Sequence, residues 1–258
     1  MNAKMPVLFI GHGSPMNALE DNEFVQNWKK TVKNFPKPEA ILCISAHWES
    51  EGTFVTAMQK PRTIHDFHGF PDELSAVQYP ACGSPKWAKE IQKTVHSTDI
   101  QLDYVWGLDH GCWTVLKHLY SQIDVPVLQL SLDFTQNVEY HFNLAKELSP
   151  LREKGVLIIG SGNLVHNLSA LDWNFPQKSC DWAKEANKKI KNKILIQDYE
   201  FLFNYHKAGQ EILHAIPSAE HFLPAIYALA QKEENEQLHF FNDKVIFGSM
   251  SMLSFVIN

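Results

Sequence analysis

Cysteine is scarce and scattered in this chain of 258 residues. The four cysteines form no CxxC pair, so we expect neither a cysteine-based zinc site nor a disulfide framework. They are Cys43, Cys82, Cys112 and Cys180. We interpret them as reduced thiols of a cytoplasmic protein. Residues 1–6 lead directly into the first apolar stretch without the pattern of a signal peptide, which favours the same compartment.

Long apolar runs and an excess of basic residues are also missing. No run approaches the roughly 20 residues that cross a bilayer, so we expect no membrane span. The formal net charge of -6 argues against a general nucleic-acid surface. The sequence has no GxSxG, GxGxxG, Walker or HExxH motif, which removes the commonest signatures of hydrolases and nucleotide-binding enzymes. No repeat or linker divides the chain, so we predict one domain over residues 1–258.

The chain alternates apolar stretches with amphipathic ones. Buried strands are predicted over residues 7–10, 40–44, 125–132 and 155–159. Amphipathic helices are predicted between and after them, one of them over residues 115–120 and the longest over residues 180–196. This alternation predicts an α/β fold, a single three-layer α/β/α domain with a central sheet that is mostly parallel or mixed. Ligands of such sheets bind beyond the carboxyl ends of the strands.

Histidines follow the ends of three predicted strands. His12 stands between two glycines after the first strand, and His47 and His166 follow the second and fourth. We therefore expect these side chains to converge on one rim of the sheet, where histidine, the commonest metal-ligand side chain, predicts a metal site. Glu220 and His221 lie in residues 218–224, which are predicted to start a helix that runs through residue 230. Either is a candidate ligand, because neighbouring residues point in different directions.

Other side chains suit catalysis or substrate binding. His110 and His166 are candidates for a general base or a charge-stabilising group, and the sequence does not rank them. His65 and Asp66 lie in a long loop over residues 59–85, where substrate contact and ordinary turn chemistry are equally compatible with the pattern. An aromatic-sized pocket or plain core packing would account for four aromatic side chains. These are Trp48, Phe67, Phe70 and Trp113.

Six short motifs occur in a fixed order along the chain. They are Gly11-His12-Gly13-Ser14-Pro15, Ser45-Ala46-His47-Trp48, Ile64-His65-Asp66-Phe67 with Gly69-Phe70-Pro71, Asp109-His110-Gly111, Val165-His166-Asn167-Leu168 and Glu220-His221-Phe222-Leu223-Pro224. In these motifs the chain resembles the class III extradiol ring-cleaving dioxygenases, and most closely their DOPA-dioxygenase branch. The resemblance runs from about residue 6 to residue 252. It implies a single α/β domain with one mononuclear metal site.

The resemblance also implies roles for individual residues. His12 and His47 match metal-ligand positions, and His221 matches the third ligand of the DOPA-type branch. His166 matches a position described as a further ligand or as the active-site base, and His110 matches an acid/base position beside the ligands. The wider family completes its site with a carboxylate, whereas here a histidine takes that place with Glu220 beside it. For substrate contact we predict His65, Phe67, Trp48 and Trp113.

The implied reaction is the opening of a catechol ring, such as that of a DOPA-like molecule, by O2 at Fe(II). Two adjacent oxygens of a catechol can chelate a metal that keeps open positions. An all-histidine site also suits zinc, which binds more tightly than Fe(II), so we expect Zn(II) in purified protein. A zinc-dependent hydrolase or lyase on the same scaffold, or a non-catalytic metal-binding protein, stays open as an alternative. The sequence does not indicate the oligomeric state.

Overall fold

A mixed sheet of eight strands organises residues 4–258, the part of the chain that this computed structural model describes. Residues 1–3 lie outside it. The described strands are β1 Val7–Gly11, β2 Ala40–Ser50, β3 Thr53–Thr56, β4 Ile100–Asp103, β5 Val127–Asp133, β6 Val156–Gly162, β7 Leu238–Phe241, β8 Val245–Ile246, β9 Met250–Ser251 and β10 Ser254–Ile257. The order across the sheet is β4-β3-β5-β2-β6-β1-β10-β7, and β8 pairs separately with β9.

The centre of the sheet is parallel and its edges are mixed. Strands β1, β6, β2 and β5 pair in parallel, so their carboxyl ends share one rim. Strand β3 is antiparallel to β5, β10 is antiparallel to β1, and β7 is antiparallel to β10. The parallel centre follows from strands that are apolar on both faces, which need cover on both sides.

Helices cover both faces of the sheet. They are α1 Glu23–Val32, α2 Asp72–Ser75, α3 Pro85–Thr94, α4 His110–Leu119, α5 Val138–Glu147, α6 Pro150–Glu153, α7 Asp181–Leu195, α8 Tyr199–Phe203, α9 Gln210–Ala215 and α10 Leu223–Leu229. Within residues 4–258, no helix is both long and apolar enough to cross a bilayer.

Alternate residues of β1 enter two separate cores. Val7 and Phe9 join the core under α5, α7 and α10, whereas Leu8 and Ile10 join the core under α1 and α4. This is the period of two that a strand imposes on its side chains. The predicted α/β class, with helical layers on both sides of a mixed sheet, is confirmed.

Strand β2 is longer than the sequence predicts. It continues past Ile44 to Ser50, with an irregular register against β5 between Ile44 and Glu49. His47 therefore lies inside an irregular strand and not in a turn after it. The expectation of a strand ending at residue 44 was wrong, because the polar residues after it pair with a distant strand that restores their backbone hydrogen bonds.

Helix α4 begins earlier than predicted and α10 begins later. Asp109 caps α4 by accepting a hydrogen bond from the backbone N–H of Cys112, which makes His110 the first helical residue. The sequence suggests residue 115 as the start because the apolar periodicity begins there. Helix α10 begins at Leu223, with Pro224 in its first turn, so His221 lies in the turn before the helix.

Candidate active site

Six histidines line one cavity of about 310 Å³ at the rim where the parallel strands end, and His68 of the long loop is the one with no predicted role. His12 directly follows β1, and His47 lies in the irregular part of β2. His110 is the first residue of α4, His166 follows β6, and His221 precedes α10. The structure thus brings together residues that are far apart in sequence, as the rule for parallel strand ends predicts.

Glycines allow the elements of the site to approach one another. A Cβ atom on Gly111 would lie 2.4 Å from the Ser45 hydroxyl oxygen and 2.9 Å from the ring of His47. A Cβ atom on Gly162 would lie 2.2 Å from the carbonyl oxygen of His221. Larger residues would push the histidine-bearing segments apart, so these two positions require glycine.

Three of the histidines form a compact group of potential ligands. One ring nitrogen each from His12, His47 and His221 lies within 4.8 Å of the others. The ring centroids are 5.0 to 5.3 Å apart. Histidine nitrogens bind divalent zinc at about 2.0–2.1 Å, so nitrogens at such separations can share one ion.

Hydrogen bonds define which ring nitrogen of His12 and of His221 is available. The Ser161 hydroxyl donates to the carbonyl oxygen of Gly111 at 2.6 Å, so it accepts from Nδ1–H of His12 at 3.0 Å. Nδ1–H of His221 donates to the carboxylate of Glu220 at 3.1 Å. Both bonds leave Nε2 with its lone pair, as a metal ligand requires.

His47 carries the clearest sign of a ligand role among these histidines. Its Nε2 atom is buried and has no hydrogen-bond partner. A buried polar atom without a partner costs free energy, so such an atom in a native structure needs an explanation. A divalent ion bound among the three histidines would be the partner of this atom. The donor set therefore fits a metal.

Burial keeps the imidazoles of His12, His47, His166 and His221 neutral. Burial and the neighbouring histidines hold the pKa of His12 and of His47 well below the usual value. Burial also lowers the pKa of His221, although the Glu220 carboxylate opposes the change. Burial and His221 lower the pKa of His166 to about 3. Neutral imidazoles keep the lone pairs that a metal needs at neutral pH.

His110 lies outside the group of three potential ligands and is held by a carboxylate of its own. Asp66 accepts hydrogen bonds from the backbone N–H and from Nδ1–H of His110, both at 2.9 Å. Burial raises the pKa of Asp66, but its hydrogen bonds and electrostatic interaction with His110 outweigh burial and lower the pKa. The same carboxylate lies 3.6 Å from Nδ1 of His47. The sequence leaves Asp66 between two roles, and the structure shows it orienting His110.

Asp109 does not line the cavity, but its hydrogen bonds hold segments whose residues do. Its carboxylate accepts from the Ser45 hydroxyl and the Gln129 amide, each at 2.7 Å, and it is fully buried. Burial raises its pKa, as does the charge of Asp66, although the two hydrogen bonds oppose this. The Ser45 hydroxyl in turn accepts from the backbone N–H of His47. Asp109 therefore links the start of α4 to the irregular part of β2.

Of the four predicted substrate contacts, Phe67 alone is among the residues that line the cavity, next to Phe70. Trp48 lies against Trp106, with the two rings stacked at a centroid distance of 5.4 Å. Successive side chains of a strand point to opposite faces, and His47 takes the face toward the cavity, so Trp48 points away from it. A role for Trp48 in substrate contact stays a prediction.

His65 and Trp113 lie behind the cavity wall. Nε2 of His65 is hydrogen-bonded to a loop carbonyl oxygen at 2.8 Å, and its ring packs against Phe67. The indole N–H of Trp113 donates to the carbonyl oxygen of Ile64 at 2.8 Å, and its side chain is fully buried. Both residues support Phe67, and their direct contact with a substrate likewise stays a prediction.

Three wall residues are not among the site residues predicted from the sequence. Leu168, Trp173 and Met250 line the cavity. Leu168 and Trp173 come from an irregular segment after β6, and Met250 comes from β9 near the end of the chain. Leu168 belongs to one of the six motifs, and the aromatic ring of Trp173 stands out in a polar segment.

Comparisons with known proteins agree with this geometry. Residues 6–253 match the family model described as the catalytic LigB subunit of aromatic ring-opening dioxygenase. A "4,5-DOPA dioxygenase extradiol" of Escherichia coli (strain K12) is 40% identical, over 98% of this chain and 94% of its own. A protein of the same name from Beta vulgaris is 34% identical, over 96% of this chain and 94% of its own.

A solved structure extends the comparison to the fold. The crystal structure of an uncharacterized protein from Escherichia coli K12 superposes with a TM-score of 0.86 at 36% identity. The match covers 98% of this chain and 100% of that one. The fold, the histidine-lined cavity and these matches define an extradiol ring-opening dioxygenase, an oxidoreductase. The chain belongs to the LigB family.

Proposed function

We propose that this enzyme opens the ring of a catechol with O2 beside the diol, using one divalent metal ion held by His12, His47 and His221. The orphaned Nε2 of His47 supports this most directly, because it lies in the group of three histidines. The relatives named for 4,5-DOPA favour a DOPA-like catechol. One O2 is consumed per ring, both oxygen atoms enter the ring-opened product, and no external reductant is required.

Fe(II) is the metal we propose for catalysis. Fe(II) supplies the redox chemistry that lets O2 react with an aromatic diol, whereas zinc has no redox change. Three neutral imidazoles also suit zinc, which binds N-donor sites more tightly than Fe(II). We therefore expect zinc to fill the site of protein purified in air and to leave it inactive as a dioxygenase.

We propose His110 as the acid/base residue. Asp66 accepts from its Nδ1–H at 2.9 Å, so Nε2 is the nitrogen left to take a proton from a diol hydroxyl and return it later. The Asp66 carboxylate stabilises the imidazolium that this transfer creates. His166 has a pKa lowered to about 3 and stacks on His221 at 3.6 Å, which makes it a poor proton acceptor. We assign it to ligand or substrate contact.

The test is reconstitution without oxygen. Chelated protein is loaded with Fe(II), its metal content is measured, and DOPA or another catechol is added with air-saturated buffer. We expect equimolar consumption of O2 and catechol with a yellow ring-opened product. The zinc-loaded protein is the matched control and should stay inactive. No product across the panel despite full iron loading, or turnover by the zinc form without O2, would reject the proposal.

Two variants test the assignment of the base. His110→Gln should lower kcat more than His166→Gln, with iron content measured in both. A larger loss of kcat in His166→Gln at equal iron content would transfer the acid/base role to His166.

A further inference from the structure

A second cavity of about 580 Å³ adjoins the histidine cavity. We call it the side cavity. The two cavities have Ser14, Phe70 and Trp173 in common, so they meet at these residues. The other walls of the side cavity include Glu20, Glu23 and Phe247.

The histidine cavity has room for little more than a ring. Its 310 Å³ lies at the lower end of the range of about 300–1,000 Å³ for ligand pockets. A long substituent on a ring bound there has to leave the cavity. Phe70 and Trp173 stand at the junction in an edge-to-face pair with a centroid distance of 6.3 Å, and the larger side cavity lies beyond them.

The charges of the side cavity have one sign. Its walls include the carboxylates of Glu20 and Glu23, and none of the described residues that line it is a lysine or an arginine. Lys244 lies 2.6 Å from Glu23 and compensates its charge. Glu20 accepts from the neutral amide of Asn22 at 2.8 Å and forms no ion pair with a described residue.

Aromatic rings also stand in the wall of the side cavity. Trp173 is 49% exposed, and its ring lies 5.0 Å from that of Phe247, centroid to centroid. The face of a tryptophan attracts ammonium groups, and a nearby carboxylate adds to the attraction. A carboxylate on a ligand would meet Glu20 with no lysine or arginine in the wall to offset the repulsion.

We propose that the side cavity holds the ring substituent of the substrate and selects extended catechols whose substituent carries an ammonium group. Phe70 and Trp173 control entry, and Glu20 sets the preferred charge. This inference rests on the proposed function for the diol end of the substrate. The substrate class is therefore an alkylamine-substituted catechol and not a catechol with an acidic tail alone.

Binding to the zinc-loaded full chain tests the inference without turnover, because zinc is redox-silent. The probes are 2-phenylethylamine and 3-phenylpropionate, which carry tails of opposite charge and no diol. We expect the amine to bind more tightly, by calorimetry, and to lose affinity as salt is added. Trp173→Ala and Glu20→Gln should each weaken amine binding about two- to fivefold, the scale of an exposed cation–π contact or ion pair.

Phe175→Ala and Glu211→Gln are the matched controls. Both residues are exposed, neither lines either cavity, and we expect amine binding to stay unchanged in both variants. Equal binding of the two probes, or equal losses in the site variants and the controls, would overturn the inference.

Turnover by the iron-loaded enzyme separates this inference from the proposed function. The ratio of kcat/KM for dopamine to that for 3-(3,4-dihydroxyphenyl)propionate should exceed one and fall in Glu20→Gln. Turnover of both with no preference would overturn the side-cavity inference and leave the ring-opening function standing. Preferential binding of the amine without turnover of any catechol would support the side-cavity inference and reject the ring-opening function.

Discussion

Two kinds of histidine with a buried ring nitrogen coexist in this protein. His141 on α5 is fully buried, and both of its ring nitrogens have partners. Nε2–H donates to the carbonyl oxygen of Asp133 at 3.1 Å, and Nδ1 accepts from the Tyr227 hydroxyl at 3.0 Å. His47 is equally enclosed by neighbouring groups at its ring nitrogen, yet its Nε2 has no partner.

The difference separates a structural histidine from a functional one. A buried imidazole stabilises a fold when every polar atom is paired, and it costs free energy when one atom is not. The fold accepts that cost at His47, which lines a cavity together with five other histidines. An unpaired nitrogen among convergent donors is therefore better evidence of a ligand than histidine type or burial alone.

Removing each kind of histidine should give the largest contrast. We expect His47→Ala to abolish stoichiometric metal binding and to lower ring-opening activity by more than about 100-fold, beyond the usual effect of removing a group behind a ligand. His141→Gln keeps one donor and one acceptor and should retain metal and activity. Metal analysis and oxygen uptake measure both. Comparable losses of activity per folded protein in the two variants would contradict the comparison.

His141, whose ring nitrogens are both paired, should contribute to the pH dependence of stability. Burial lowers the pKa of His141 to about 4, although Asp133 opposes the shift. Between the unfolded value of about 6.5 and this folded value, the unfolded chain binds more protons, so stability falls as pH falls. The contribution lost across this window is roughly 3 kcal/mol.

His141→Gln cannot titrate and should lack this loss. Urea unfolding of metal-free protein at pH 6.5 and pH 4 measures it, as the change in the free-energy difference between wild type and variant. His96→Gln changes an exposed histidine and is the matched control, with a pH dependence like that of wild type. A His141→Gln curve parallel to that of wild type would show that His141 contributes nothing to acid sensitivity.

The convergence of the site histidines could be predicted from the sequence, but the contacts between the site residues could not. His12 and His166 stand after apolar strands, and the parallel-sheet rule places such ends on one rim, which is how they are found in the structure. Asp66 and His110 are 44 residues apart, and no local sequence pattern predicts the hydrogen bond between them. The same holds for the contacts that Asp109 makes with Ser45 and Gln129.

Long-range pairing also explains the errors in element boundaries. The polar residues around His47 lack strand periodicity, and they become part of β2 because β5 pairs with them across an irregular register. Trp173 enters the cavity wall because its segment is hydrogen-bonded to residues 247 and 248 near the far end of the chain. The cytoplasmic location and the single domain over residues 1–258 stay predictions.

Asp66 offers a smaller and sharper contrast, because it acts on a ring that is not among the three grouped ligands. Asp66→Asn keeps an acceptor for His110 and removes the charge that stabilises its imidazolium. We expect kcat to fall about 10- to 100-fold with iron content retained, the usual effect of removing an orienting carboxylate. Steady-state kinetics over a range of pH measures the change and should show an altered profile.

The control for this variant is another aspartate in the same part of the chain. Asp72 lies in the first turn of α2 and is exposed, so Asp72→Asn should leave kcat and its pH profile unchanged. If Asp66→Asn lost iron in proportion to activity, Asp66 would support metal binding through His47 and not proton transfer through His110.

The smallest effect concerns the hydroxyl that orients His12. Ser161→Ala removes the acceptor for Nδ1–H of His12 and the donor to the carbonyl oxygen of Gly111. The ring then loses the contact that fixes its tautomer, and metal affinity should fall about tenfold, at the low end for such partners. Competition with a coloured chelator measures this affinity.

Ser249→Ala is the control, because it removes another buried hydroxyl, which donates to the carbonyl oxygen of Asn167 away from the three grouped imidazoles. It should lower stability but leave metal affinity unchanged. Equal affinities in the two variants would mean that packing alone, and not the hydroxyl of Ser161, presents Nε2 of His12 to the cavity.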